Sequence, residues 1–477
     1  MSQLGVTQRR LAFYGDDFTG STDVMEVLQW CGLRTVLFLA PPSAQQLDEF
    51  ADLQAFGVAG WSRSMSPDEM QTELTEVFQK LRDAGAGMVH YKTCSTFDSS
   101  AEVGSIGKAI ELGREAFGTG VVPMVIGAPN LGRYQVFGNL FARSGLDSEP
   151  YRLDRHPTMR QHPITPMPEA DLRQHLALQT KLRVGLMDIL RLNDPVPSSV
   201  LESTLPAGCE ILLFDVLYPE QLVRIGQWIL ALAQGRLPTF VVGSSGIEYA
   251  LTAAWSSRAS VTACPVAASS FPAVEQLVAI TGSCSPVNAR QVQWAERHGF
   301  ETVAVDPSRL IQPPTMQAEI DHCVEQAVRR LRAGGNVILH TSRGPEDPRV
   351  GRTINSFRAL GLSDLEVRLQ SGRRLGPLLG KILGGILSQY PLARVGVAGG
   401  DTSGYIARQL QLTALEAIAP VAPGSPLCRA YAANEFNGIE FFFKGGQVGK
   451  DNVWGTILHG SNWQADTPTP SIQSNIY

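Results

Sequence analysis

The sequence predicts an α/β protein of two domains, each with a mainly parallel sheet, joined across an inter-domain active-site cleft. Three observations predict it. Short β-rich apolar runs alternate with helical stretches in both halves, the pattern of parallel strands with helices on both sheet faces. A Ser/Ala/Pro-rich run with one charged residue, Ser256–Ala273, separates the halves. The length of 477 residues suits two domains. We expect an N-terminal domain at 1–258, a linker at 259–273, a C-terminal domain at 274–460 and a polar tail at 461–477.

In chain order, Leu11–Tyr14 reads as a strand. Val24, Val27, Leu28 and Cys31 then recur at i, i+3, i+4, i+7, one face of a helix. Thr35–Leu39 is a strand, Met70–Arg82 a helix, Met88–Tyr91 a strand, and a helix follows from about Glu102. Pro123–Gly127 and Ile211–Val216 are buried strands, Glu220–Ala233 a helix and Thr239–Gly243 a strand. In the second half, strands at Leu277–Gly282, Thr302–Val305, Val337–His340 and Val395–Ala398 alternate with helices at Asn288–His298, Glu319–Leu331 and Leu375–Leu387. Ile439–Phe443 reads as a late strand in a hairpin. The apolar stretch Leu375–Ala393 contains Pro377, Lys381, Gln389 and Pro391, so it suits a buried helix better than a membrane span.

Hydrophobic residues make up 44% and charged residues 18%, which excludes a largely disordered chain. With 40 Lys+Arg against 45 Asp+Glu the formal charge is -5, without the basic footprint of a general nucleic-acid or anionic-membrane binder. A local group of donors can still hold a small anion. The 7 cysteines form no C-x-x-C pair and are odd in number, so they are neither a disulfide framework nor a zinc ribbon. Met1–Asp17 has no signal-peptide pattern. We expect a cytoplasmic protein.

Gly15-Asp16-Asp17-Phe18-Thr19-Gly20-Ser21 follows a strand and opens a helix. Adjacent carboxylates there suit a general base or a metal ligand, and equally a capped turn. In Lys92-Thr93-Cys94-Ser95-Thr96-Phe97-Asp98, Lys92 can neutralise a carboxylate and the hydroxyls can meet sugar hydroxyls; an ordinary ST-rich loop reads the same way. Arg133, in Ala128–Gln135, offers a planar fork for a carboxylate, or is a surface arginine. Three prolines between 157 and 166 predict an ordered, extended loop that carries His162, as a cleft or a structural residue.

Three loops of the second half share one design: Thr281-Gly282-Ser283-Cys284-Ser285, Gly399-Gly400-Asp401-Thr402-Ser403-Gly404 and Lys444-Gly445-Gly446-Gln447-Val448-Gly449. Each follows a strand. Small residues let backbone N–H groups approach phosphate oxygens, and a helix N-terminus adds a favourable dipole. Together they point to a nucleotide, although each alone is also a common turn or cap. Neither a P-loop nor a dinucleotide fingerprint is present.

This set of motifs resembles the four-carbon acid sugar kinases, ATP-dependent enzymes acting on D-threonate, D-erythronate and 3-oxo-tetronates. The resemblance runs from Tyr14 to about Leu458. It rests on GDDFTGSTD, KTCSTFDSS, APNLGR, HPITPM, GSSGIEYAL, TGSCSP, GGDTSG and KGGQVG. It implies a sugar-acid-binding N-terminal domain, a nucleotide-binding C-terminal domain, and transfer of the ATP phosphoryl group, with Mg2+, to an alcohol group of the acid. It puts Asp16 and Asp17 on the paired acids, and Lys92, Asp98 and Arg133 on the substrate side, to which we add Ser95 and His162. It puts Ser283, Ser285, Gly400, Asp401, Thr402, Ser403, Gly446 and Gly449 on the nucleotide side, with Gly399, Gly404, Lys444 and Gly445 in the same loops. A homodimer is the assembly it allows. Two departures stand out: Asp401 replaces the family's usual Glu in GGETSG, and KTCSTFDSS lacks the Arg of the frequent K-x-D-S-T-x-R-G loop. With extra sequence around Tyr151–Arg160, they extend the acceptor range to branched acids such as 3-oxo-isoapionate. A nicotinamide-linked dehydrogenase and a non-catalytic sugar-acid or nucleotide sensor are the competing readings.

Overall fold

The computed structural model describes residues 9–50, 52–144, 148–162, 164–193, 205–233, 238–257 and 270–463. Eight parallel strands form the N-terminal part of the main sheet. In spatial order they are Thr35–Phe38, Ala55–Ala59, Leu11–Gly15, Met88–Lys92, Thr239–Gly243, Val122–Val125, Ile211–Phe214 and Val184–Met187. Most are buried along their whole length, as expected of a parallel sheet covered on both faces. The C-terminal part has five parallel strands in the order Phe300–Ala304, Asn336–His340, Val278–Thr281, Arg394–Ala398 and Glu440–Lys444. An antiparallel pair, Ser425–Ala432 and Leu412–Ala422, follows.

These two parts are one continuous sheet of 15 strands. Ala414, Leu415 and Glu416 pair antiparallel with Phe38, Leu37 and Val36, and Leu39 N–H donates to Thr413 O at 3.0 Å. A separate three-stranded antiparallel sheet, Arg133–Val136, Asn139–Arg143 and Pro150–Arg152, is tied to the N-terminal part by a bridge between Gln135 and Val216.

The expected alternation is present, with differences that have local causes. The helix read from about Glu102 starts at Ile106, because Gly104 adopts φ 60 and Ser105 caps the helix through Lys108 N–H. The helix read as Leu375–Leu387 runs from Asp364 to Gln389, started by a capping box of Ser363 and Glu366. The segment around His162 is not simply extended, since short 3-10 turns occur at Leu153–Arg155 and Met159–Gln161. The strand Ala55–Ala59 was not anticipated. Residues 259–269 of the expected linker and 464–477 of the expected tail lie outside the described residues. Among the described residues, no helix is long and apolar enough to cross a membrane.

Candidate active site

Register brings the first motifs together. Gly15 lies opposite Ala59 on one side and Lys92 on the other, so three strands end side by side and their following loops meet. Ligand sites in open α/β sheets lie at these carboxyl ends. Asp17 is the N-cap of the helix Phe18–Trp30. Its Oδ1 accepts from Gly20 N–H at 2.7 Å, and its Oδ2 from Thr19 Oγ1 at 2.9 Å. Arg63, just beyond Ala59, joins both acids. It donates to Asp16 through Nε at 3.2 Å and Nη2 at 2.8 Å, and to Asp17 Oδ2 through Nη1 at 3.0 Å. Burial pushes the Asp16 carboxyl up to about 6 against the opposing pull of Arg63.

Lys92 is buried beneath this turn, 3.8 Å from Asp23 Oδ2, and its Nζ donates to Thr93 O at 3.0 Å. A Cβ on Gly20 would press against that ammonium. In the next loop Thr96 Oγ1 donates to Asp98 Oδ1 at 2.6 Å. Burial works against the Asp98 anion, yet the Arg63 charge and the Thr96 and Cys94 hydrogen bonds hold its carboxyl below the usual range. Phe97, buried against His175, takes a left-handed φ of 57 just before Asp98. Such strain persists only where the surroundings impose it. Ser95 is half-buried in this loop. Arg133 spends Nη1 on the carbonyls of Leu131 and Arg143, at 3.0 and 3.2 Å, while its buried Nε has no partner. Burial lowers the guanidinium against the opposing pull of the nearby Asp98 carboxylate. His162 Nδ1 accepts from Thr165 N–H at 3.1 Å, and its ring lies within electrostatic reach of Asp98 and Asp401.

The three small-residue loops leave the neighbouring strands Val278–Thr281, Arg394–Ala398 and Glu440–Lys444, and they interlock. Ser285 caps the helix Pro286–Arg297 and donates to Gly446 O at 2.5 Å. A Cβ on Gly446 would collide with the Ser283 hydroxyl, and one on Gly282 with Thr402. Gly399, at φ 129, donates its N–H to Lys444 O at 2.9 Å, and the Ser403 hydroxyl returns to Gly399 O at 2.7 Å. The helix Gly400–Gln409 therefore opens at the surface shared by all three loops. Gly404 lies within that helix's first turns, and Gly445 and Gly449 lie in the third loop. The Lys444 ammonium is fully buried, donates to Gly445 O at 2.9 Å and lies 6.0 Å from the Trp454 ring. Burial lowers it to about 7.

The halves meet where the helices Phe18–Trp30 and Gly400–Gln409 pack. A Cβ on Gly404 would touch Phe18, and one on Gly400 would face Thr19; Phe18 also meets Phe443 edge-on at 5.0 Å. Desolvation by the surrounding loops, then the nearby Asp17, raises the Asp401 carboxyl, although its side chain stays open to solvent. Among the described residues, no group of three or more His, Cys, Asp or Glu is arranged to hold a metal.

Sequence reasoning missed Arg63, and missed Thr341 and Ser342. The latter continue the neighbouring strand Asn336–His340, where Ser342 Oγ donates to Ser283 O at 3.3 Å. The available signal was topological: a strand at 55–59 beside Leu11–Gly15 delivers the residues after it to the acid pair.

The model of a sugar-binding N-terminal domain matches residues 11–251, and that of a nucleotide-binding C-terminal domain matches 278–453. A 3-oxo-isoapionate kinase of Paraburkholderia graminis is 43% identical over 94% of this chain and 94% of its own length. A 3-oxo-tetronate kinase of Methylobacterium radiotolerans is 30% identical over 91% and 97%. A Salmonella typhimurium LT2 protein of known crystal structure superposes with a TM-score of 0.72 at 23% identity, covering 94% of this chain and 98% of that one, a likeness of fold.

Proposed function

The chain belongs to the four-carbon acid sugar kinase family, and on that premise we propose that it transfers the γ-phosphoryl group of ATP to a hydroxyl of a branched 3-oxo sugar acid of the 3-oxo-isoapionate type. Kinase chemistry follows from the family. The branched acceptor is supported by the 43% identity to the 3-oxo-isoapionate kinase against 30% to a 3-oxo-tetronate kinase. The observation that carries the reading is the junction itself, where the helix capped by Asp17 packs on the helix opened by the glycine loop.

Phosphoryl transfer depends mainly on positioning and charge neutralisation. The sugar acid lies against Lys92, Ser95, Asp98, Arg133 and His162. Asp17 takes the proton of the attacking hydroxyl. Three donors already fix that carboxylate; a carboxylate has about four lone-pair sites, so one remains for the acceptor. Asp16 anchors Arg63. On the other side the N–H groups around Ser283, Ser285, Gly399–Gly404 and Gly445–Gly449 cradle the phosphates. Mg2+ fits a site made mostly of phosphate oxygens and water, with Asp401 as the protein carboxylate, because hard cations of this kind seldom use an all-protein cage. When bound, it neutralises phosphate charge. We place the domains at 1–258 and 274–460, joined by 259–273, and the enzyme in the cytoplasm.

A coupled ADP-release assay with Mg-ATP tests this on D- and L-threonate, D- and L-erythronate, their 3-oxo forms and branched 3-oxo acids. Turnover highest on a branched 3-oxo acid is the expected result. Preference for a linear four-carbon acid overturns the branched assignment, and silence on every acid overturns the acceptor class.

A further inference from the structure

Arg63 holds the acid pair, and the short segment that carries it is gripped from the other half of the molecule. On its own side the segment is fixed by Gly60 N–H to Gly15 O at 2.9 Å, Arg63 N–H to Asp16 O at 3.0 Å, and the Ser62 hydroxyl to the Tyr91 hydroxyl at 2.9 Å. Two arginines of the nucleotide-binding half reach across to its ends. Arg408, at the end of the helix Gly400–Gln409, donates to Ala59 O and lies 4.2 Å over the Trp61 ring. Arg373, in the helix Asp364–Gln389, donates to Ser64 O at 2.7 Å and Ser64 Oγ at 3.3 Å. Arg373 also meets Glu69 Oε1 of the sugar-acid half at 3.5 Å and lies within electrostatic reach of Tyr405 and Asp401. Neither arginine belongs to a small-residue loop or touches the acid pair. Both spend donors on backbone carbonyls that bracket Arg63, which is how a guanidinium fixes a loop rather than how it binds a ligand.

We propose that Arg373 and Arg408 are positioning residues through which the nucleotide-binding half sets Arg63, and thereby the Asp16–Asp17 pair, in the sugar-acid half. The inference rests on the acid pair serving phosphoryl transfer. The helix that begins at the phosphate loop ends on this segment, so one rigid element spans from the nucleotide loop to the support of the acid pair. Misplacing reacting groups by about 1 Å can cost roughly 100-fold in rate, so a purely supporting contact of this kind can limit turnover.

The test compares wild type, Arg373→Ala and Arg373→Lys. With Arg373→Ala we expect kcat to fall about tenfold by loss of positioning, with the ATP Kd from calorimetry within about threefold and partial recovery in Arg373→Lys. In an Arg63→Lys background the same truncation costs less than about threefold, because residues acting through one another are not additive. Loss of ATP affinity with kcat unchanged, or full additivity with Arg63→Lys, overturns the proposal. Amide exchange gives a readout that needs no turnover. In Arg373→Ala the peptide covering 59–65 is expected to exchange at least about fivefold faster, with Thr239–Gly243 unchanged. Unchanged exchange at 59–65 overturns the inference whatever the acceptor proves to be. Silence of the wild type on every acid, with exchange altered as expected, sinks the acceptor assignment instead and leaves the grip on Arg63 standing.

Discussion

The two sides of the junction differ in what they are made of. The sugar-acid side is built from side-chain charges in close pairs: Asp16 and Asp17 on Arg63, Lys92 by Asp23, and Asp98 near Arg63. The nucleotide side is built from backbone and hydroxyls, with Ser283, Ser285, Gly399, Thr402 and Gly446 packed so closely that added atoms collide. Lys444, the buried cation among the described loop residues, has a carbonyl and the face of the Trp454 ring beside it and no described carboxylate within salt-bridge distance. A small polyhydroxy acid is recognised group by group, which takes oriented side chains. A polyphosphate presents one repeated charge, which N–H groups serve equally well.

That contrast can be broken in order of expected effect. Asp17→Asn tests the proposed proton acceptor and should cut turnover about 100-fold or more, with ATP binding by calorimetry unaltered; unchanged turnover removes Asp17 from the mechanism. Gly446→Ala adds one carbon against Ser283 and should weaken ATP about tenfold, equivalent to about 1.4 kcal/mol, while the acceptor KM holds; a weakened acceptor KM instead would erase the division of labour.

Lys444 gives a smaller, pH-dependent signal. Its ammonium is lowered to about 7 by burial, so above that pH it is mostly neutral in the free protein. Its folded value lies below the unfolded one, so its contribution to stability is present at high pH and is lost as pH falls through about 7. Phosphate charge nearby favours the ammonium and raises it again. At pH near 8, ATP binding should therefore take up close to ~1 proton, measured by calorimetry in buffers of different ionisation enthalpy, and Lys444→Met should abolish the uptake. The least effect is expected from Cys284→Ala. This cysteine is exposed in the first small-residue loop, and losing its side chain should change the ATP Kd less than about twofold. A large loss would mean that the nucleotide side also works through side chains.

Much of this was legible locally. The alternation of strands and helices, the acid pair after Leu11–Gly15 and the three small-residue loops are contiguous patterns. What escaped depends on which strands become neighbours. Ala55–Ala59 is a five-residue strand with a central glycine, weak in β-propensity, yet it delivers Arg63. The pair Leu412–Ala422 and Ser425–Ala432 is rich in alanine and interrupted by proline and register shifts, so its period is faint, yet it joins the halves. Arg373 and Arg408 look like ordinary helix-face cations in sequence. Their partners are carbonyls about 310 and 350 positions away, and no spacing rule reaches that far.

The ladder between Val36–Phe38 and Ala414–Glu416 bears on why one polypeptide carries both halves. Thr35–Phe38 is fully buried, and without its partner it would be the bare margin of the sugar-acid sheet, with a row of open N–H and C=O groups. Leu412–Ala422 would be the equally bare margin of the nucleotide sheet. Such margins are templates for pairing with other chains. Each half acts as the other's edge protector, and a single chain supplies the two margins in equal number and within reach of each other as they fold.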